Sequence, residues 1–132
     1  MIDTTKNAMK RWHTMLETQD MSILSDLLAE EIIFRSPVAF QPYTGKPMVF
    51  FILSNVIQVF ENFKYHREFY TEDGINVVLE FSANIDEKQL KGIDMIRFDE
   101  NGKIIEFEVM IRPKSTLEIL ALHMGQRMQQ FN

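Results

Sequence analysis

The sequence predicts an α+β domain, with helices packed on one face of a curved antiparallel or mixed sheet. Apolar residues recur at helical spacing through roughly the first sixty positions. Four strand-like segments divided by turn residues then run from 63 to 112, and a last segment returns to helical spacing. Helices and strands segregated along a chain in this way pack as separate layers.

The first helix carries Met9, Trp12 and Leu16 on one side, with Asp3 placed to cap it. Gln19-Asp20 interrupts it, and a second short helix presents Ile23, Leu24, Leu27 and Leu28. The stretch 32–36 is β-rich and stops at Pro37, as a short or edge strand does. Residues 38–45 contain Pro42 and Gly45 and read as loop. Pro47 suits the first turn of a third helix reaching about Phe60, whose apolar residues go nearly all round. Such a helix is covered on more than one side. Strands follow over 64–70, 75–84, 89–98 and 103–112, with turns at Glu72-Asp73-Gly74, Asp86-Glu87 and Asn101-Gly102. Asn-Gly supplies the positive φ angles of a tight hairpin. After Pro113, Ser115 and Glu118 have capping-box spacing for a final helix striped by Leu117, Leu120, Met124, Met128 and Phe131.

A chain of 132 residues and 15.6 kDa is one domain, 1–132, with enough surface to bury for one core. With no Cys, disulfides, thiolate nucleophiles and cysteine zinc sites are excluded. Fourteen Lys and Arg against nineteen Asp and Glu leave a charge of −5, which argues against nucleic acid as a partner. The first residues lack an apolar signal core, and the run from Met48 to Leu53 is far short of the ~20 residues of a membrane span. A cytoplasmic protein with no membrane partner is expected.

The segment from Leu28 through Ile33-Phe34-Arg35-Ser36-Pro37 to Gly45-Lys46 resembles the first half of the SnoaL-like group of the nuclear transport factor 2-like superfamily. Gly92-Ile93-Asp94 through Asn101-Gly102-Lys103-Ile104, then Glu108 to Pro113, is similar to the group's last hairpin. The resemblance covers nearly the whole chain. It implies a cystatin-like cone, a curled sheet wrapped around helices with an apolar pocket inside. The superfamily holds ketosteroid isomerases, polyketide cyclases, an epoxide hydrolase and non-catalytic transport and assembly modules, so fold alone does not set chemistry.

In the ketosteroid isomerase pattern a first-helix Tyr donates to the developing oxyanion, and Trp12 stands there. The isomerase's base, an Asp before Pro, is matched by Ser36, which cannot shuttle a proton between carbons as a carboxylate does. The second donor, a protonated Asp, is matched by Asp94. The epoxide hydrolase has an Arg two residues before its Asp, where this chain has Gly92.

Strand alternation puts Asp94 on one face with Ile96, Phe98, Leu79, Phe81, Phe107, Val109 and Ile111. The other face carries Glu80, Met95, Arg97, Glu106, Glu108, Met110 and Arg112, and is expected to pair with a second copy in a homodimer. Asp94 has two open readings: a carboxylate that fixes Trp12 or a loop amide, or a ligand-facing acid. His13, His66 and His123 share no metal-like spacing, and no cofactor or metal is expected. Each histidine is expected at the surface or in a hydrogen bond.

The expected function is binding of a small apolar or ring-containing ligand, with at most weak isomerase- or cyclase-like acid catalysis through Asp94. Trp12, Phe34, Ser36, Phe51, Phe81, Phe107 and Val109 are the candidate ligand-binding residues. The alternative is a non-catalytic interaction or assembly module. In that case Trp12, Phe34, Phe51 and Phe81 fill the cavity themselves.

Overall fold

The computed structural model describes residues 1–130. Helices α1 (Asp3–Thr18) and α2 (Met21–Leu27) lead into β1 (Leu28–Arg35). A two-residue β2 (Tyr43–Thr44) lies in the expected loop, before α3 (Lys46–Val59). Four long strands follow, β3 (Glu61–Tyr70), β4 (Asn76–Ile85), β5 (Lys88–Phe98) and β6 (Ile104–Arg112), and α4 (Lys114–Met128) closes the chain. Phe131, expected to end the α4 stripe, lies outside the described residues.

The strands form one sheet in the order β2-β1-β6-β5-β4-β3. It is mixed, because β1 runs parallel to β6 while every other pair is antiparallel. Leu79 opposes Asp94, Asp94 opposes Val109, and Ile96 opposes Phe107, so these residues share the face toward the helices. The main core gathers on that face around Trp12, Met15, Ile32, Phe98 and Phe107. A second cluster, with Phe81, Ile85 and Leu120, fills the end under α4. Among the described residues no helix is long and apolar enough to cross a membrane.

Local chemistry departs from expectation at three points. Asp3 is the first residue of α1 rather than its cap, with Ile2 at the N-cap and no side-chain bond there. Its carboxylate still lies in the first turn, where the helix dipole favours negative charge. At the last hairpin only Gly102 takes positive φ, at 79°. Asp99 explains this, since its Oδ1 accepts from the amides of Asn101 and Lys103 and holds a wider turn with a bulge at Arg97/Phe98. The tight reversal with two positive φ values falls instead at Asp86 (49°) and Glu87 (70°), between paired Ile85 and Lys88. Ser115 and Glu118 form no capping box, because α4 starts at Lys114, two residues earlier than that box requires, with Pro113 as N-cap. Thr116 Oγ1 donates to the Gln89 carbonyl at 2.8 Å and fixes that start against the sheet.

Helix α3 is covered on more than one side only in part. Val49, Ile52, Leu53 and Val59 are buried, while Val56 and Ile57 face open space under the sheet. The apolar girdle of this helix therefore serves both a core and a cavity wall.

Candidate functional site

Between α1, α3, α4 and the curled face of the sheet lies a cavity of about 760 Å³. Binding sites for small molecules typically enclose roughly 300–1,000 Å³. Its wall is mostly apolar. Helix α3 contributes Ile52, Leu53, Val56 and Ile57, and α4 contributes Leu120, Met124 and Met128. The sheet contributes Phe34, Phe63, Phe107, Val109 and Ile111.

One polar chain is set into this wall. Trp12 Nε1–H donates to Tyr65 Oη at 2.9 Å, and the Tyr65 hydroxyl donates to Asp94 Oδ2 at 2.6 Å. Trp12 and Asp94 are only 3% and 6% exposed. Helix α1 presents the indole, held against Phe107 with ring centroids 5.3 Å apart. Strand β3 presents Tyr65, whose ring meets Phe63 edge-on at 4.9 Å. Strand β5 presents Asp94 through the alternation that also points Ile96 inward.

Burial pushes the Asp94 carboxyl up to about 7, against the lowering effect of the Tyr65 hydroxyl. Burial first, and the Asp94 charge second, push the Tyr65 phenol well above its ordinary value. Near neutrality, then, Asp94 is divided between acid and carboxylate while Tyr65 stays a neutral phenol. The carboxyl has one oxygen committed to Tyr65, which leaves the other for a proton or a ligand.

Trp12, Phe34, Ser36, Asp94, Phe107 and Val109 all line the cavity. Phe81 and Phe51 do not. Phe81 is fully buried behind Phe63, which stacks on it at 5.0 Å. Phe51 stands on the side of α3 opposite Ile52, Leu53, Val56 and Ile57. The indole N–H of Trp12 is spent on Tyr65 and is not offered to a ligand. Ser36 Oγ accepts from the amides of Val38 and Ala39, at 2.9 and 3.4 Å, and so shapes the loop at the cavity rim.

The sequence reading missed Tyr65, the centre of the chain. It also left His13 undistinguished. His66 lies 2.7 Å from Ser82 Oγ and His123 lies 2.7 Å from Asp86 Oδ2, both away from the cavity. His13 lines the cavity, with its ring edge-on to Tyr65 and 5.5 Å between centroids.

Gly92 is closed to any side chain. A Cβ there would stand 2.5 Å from the Met110 carbonyl oxygen and 2.7 Å from Phe81 Cζ. The arginine of the epoxide hydrolase pattern therefore has no room in this backbone.

A curled mixed sheet closed by helices over an apolar cavity, with a buried acid on its inner wall, defines a nuclear transport factor 2-like cone. The chain belongs to the SnoaL-like domain family, whose pattern it matches over residues 9–107. It is 47% identical to a Pseudomonas aeruginosa protein described as a steroid delta-isomerase, covering 98% of this chain and 94% of that one with a TM-score of 0.94. It is 32% identical to an uncharacterised Silicibacter pomeroyi protein with a cystatin-like fold, covering 93% and 86% with a TM-score of 0.86. A Mesorhizobium loti NTF2-like protein of unknown function shares the fold at 18% identity, with a TM-score of 0.73 over 84% of this chain and 93% of that one. None of the curated proteins compared matches the chain.

Proposed function

We propose that the protein binds an apolar, ring-containing molecule bearing a ketone or phenol oxygen, and holds that oxygen at the Asp94–Tyr65 end of the cavity. The observation that carries this reading is an acid poised near neutrality at the inner wall of an apolar cavity of about 760 Å³. In its neutral form the Asp94 carboxyl donates a hydrogen bond to a ligand oxygen, which strengthens as negative charge develops there. Ring-bearing ligands match the wall, where Phe34, Phe63 and Phe107 offer aromatic faces. The description of the Pseudomonas aeruginosa relative makes a steroid the first ligand class to test. With Ser36 bound to loop amides, acid assistance from Asp94 alone gives at most slow turnover.

The open cavity favours this reading over an assembly module with a self-filled interior, because Trp12 and Phe34 line the space rather than occupy it. Titration with 2-naphthol, a fluorescent two-ring phenol, tests it. Saturable binding that Asp94→Leu weakens at least about tenfold supports the reading. Absence of binding to the wild type overturns it. Native mass spectrometry of freshly purified protein provides a second view, through any retained small molecule.

A further inference from the structure

We propose that the cavity also receives ring-bearing ammonium ions, with the charged nitrogen seated on the unpaired carboxyl oxygen of Asp94. The inference rests on the ligand reading above and adds a cationic class to it.

The carboxyl of Asp94 lines the cavity and gives only Oδ2 to Tyr65. Its Oδ1 has no partner among the described residues, yet the polar side-chain atoms enclosed without a partner are the hydroxyls of Thr4 and Thr5. That carboxyl oxygen therefore opens on the cavity. No Lys or Arg lines the cavity among the described residues, and besides the phenols its ionisable groups are His13, Glu17 and Asp94. Two arginines beside lining residues are engaged elsewhere. Arg35 pairs with Glu106 at 3.0 Å, and Arg127 donates to Asn55 and Gln58, both at 2.9 Å. Gly92, two residues before the acid, has no room for a side chain. The chain thus brings no lysine or arginine to the acid, and a cationic ligand fills that role.

A buried ion pair is costly when both ions must leave water. Folding has already buried Asp94, so an entering ammonium gives up only its own hydration. Aromatic rings offset part of that loss, because their faces attract cations. Tyr65 bonds to the acid, Phe63 meets Tyr65 edge-on, Trp12 bonds to Tyr65, and Phe107 packs on Trp12. Leu53, Val56 and Met124 leave an apolar wall for the hydrocarbon skeleton. The net charge of −5 draws cations toward the protein. The same features exclude a carboxylate, which meets Asp94 with like charge and finds no lysine or arginine to pair with.

Calorimetric titration at pH 8, where Asp94 is mostly ionised, tests this. The ligands share one two-ring skeleton: 2-aminotetralin, 2-tetralol and tetralin-2-carboxylate. The amine is expected to bind about tenfold tighter than the alcohol, and the carboxylate at least about tenfold weaker than the alcohol. Asp94→Asn is expected to lower amine affinity about a hundredfold while holding 2-naphthol within about threefold, since the amide still offers a hydrogen bond. That retained affinity also shows the variant to be folded. The ligand order on the wild type decides the matter even where the variant does not fold. An amine bound no tighter than the alcohol, or a carboxylate bound as well as the amine, overturns the proposal. Amine affinity that survives Asp94→Asn, or that falls as far in Glu17→Gln, overturns the assignment to Asp94. A wild type that binds 2-naphthol but not the amine overturns the cationic class and leaves the ligand reading standing. A wild type that binds neither overturns both.

Discussion

Replacing Asp94 by Asn removes a buried charge whose cost depends on pH. In the folded protein burial raises the carboxyl from 3.8 to about 7. The unfolded chain releases the proton near the ordinary value, so between about pH 4 and pH 7 the folded state holds one proton more. The contribution of this group to stability therefore falls as pH rises, by about 1.4 kcal/mol per unit, and levels off above the folded value. From pH 5 to pH 8 wild type loses about 3 kcal/mol through Asp94. An asparagine at this position carries no such loss, and its amide oxygen still accepts from Tyr65. Urea denaturation of both proteins at the two pH values measures the effect. Taking the difference between them cancels the titrations they share. The expected outcome is a relative gain for Asp94→Asn of about 3 kcal/mol on going from pH 5 to pH 8. A difference that stays constant, or that moves against the Asn variant, shows an ionised and well-satisfied carboxylate and refutes the reasoning.

Tyr65→Phe leaves the Trp12 N–H and Asp94 without their shared partner, and is expected to cost about 1–3 kcal/mol in chemical denaturation. It also removes the one interaction that lowers the Asp94 pKa, so an NMR titration of that carboxyl should show it rise further. Gly92→Ala is expected to destabilise by about 1–3 kcal/mol, because the new Cβ meets a backbone carbonyl at 2.5 Å; an unchanged melting transition would count against that closeness. We also propose that a second copy covers the outer sheet face, where Met95 and Met110 are 37% and 49% exposed beside Arg97. Glu106 is already paired with Arg35 at 3.0 Å within the chain, so Glu108 is left to meet a partner's arginine. Sedimentation should find a dimer that Arg97→Glu weakens, and a monomer at micromolar concentration would sink the proposal.

The order of elements was legible because it depends on local periodicity and punctuation. The inward face of β5 and β6 was legible for the same reason: Asp94, Ile96, Phe107 and Val109 follow simple alternation. Tyr65 was not, although it alternates with Phe63. Its place depends on how β3 registers on β4, and that register shifts on both sides of the Lys64–Tyr65 pair. Asn62, at φ 54°, marks one of these breaks. The contacts Tyr65 makes span 53 and 29 residues, beyond any local pattern. His13 was hidden for a different reason. It flanks Trp12 on α1, and only the width of the cavity turns that flank into lining. Phe81 was misplaced because sharing a face with Asp94 does not reveal that Phe63 lies between it and the open space.

The closed position at Gly92 sets a limit on what this scaffold can become. In many cavities a single codon change could set a cation beside a buried acid, turn it into a permanent carboxylate and open a route to water activation. Here the Met110 carbonyl and the Phe81 ring occupy the space such a side chain needs. A lineage starting from this chain would have to respace two strands before that substitution became tolerable. Descendants that keep the backbone can vary the ligand through α3, α4 and the rim. Through this position, they inherit an acid whose charge stays negotiable.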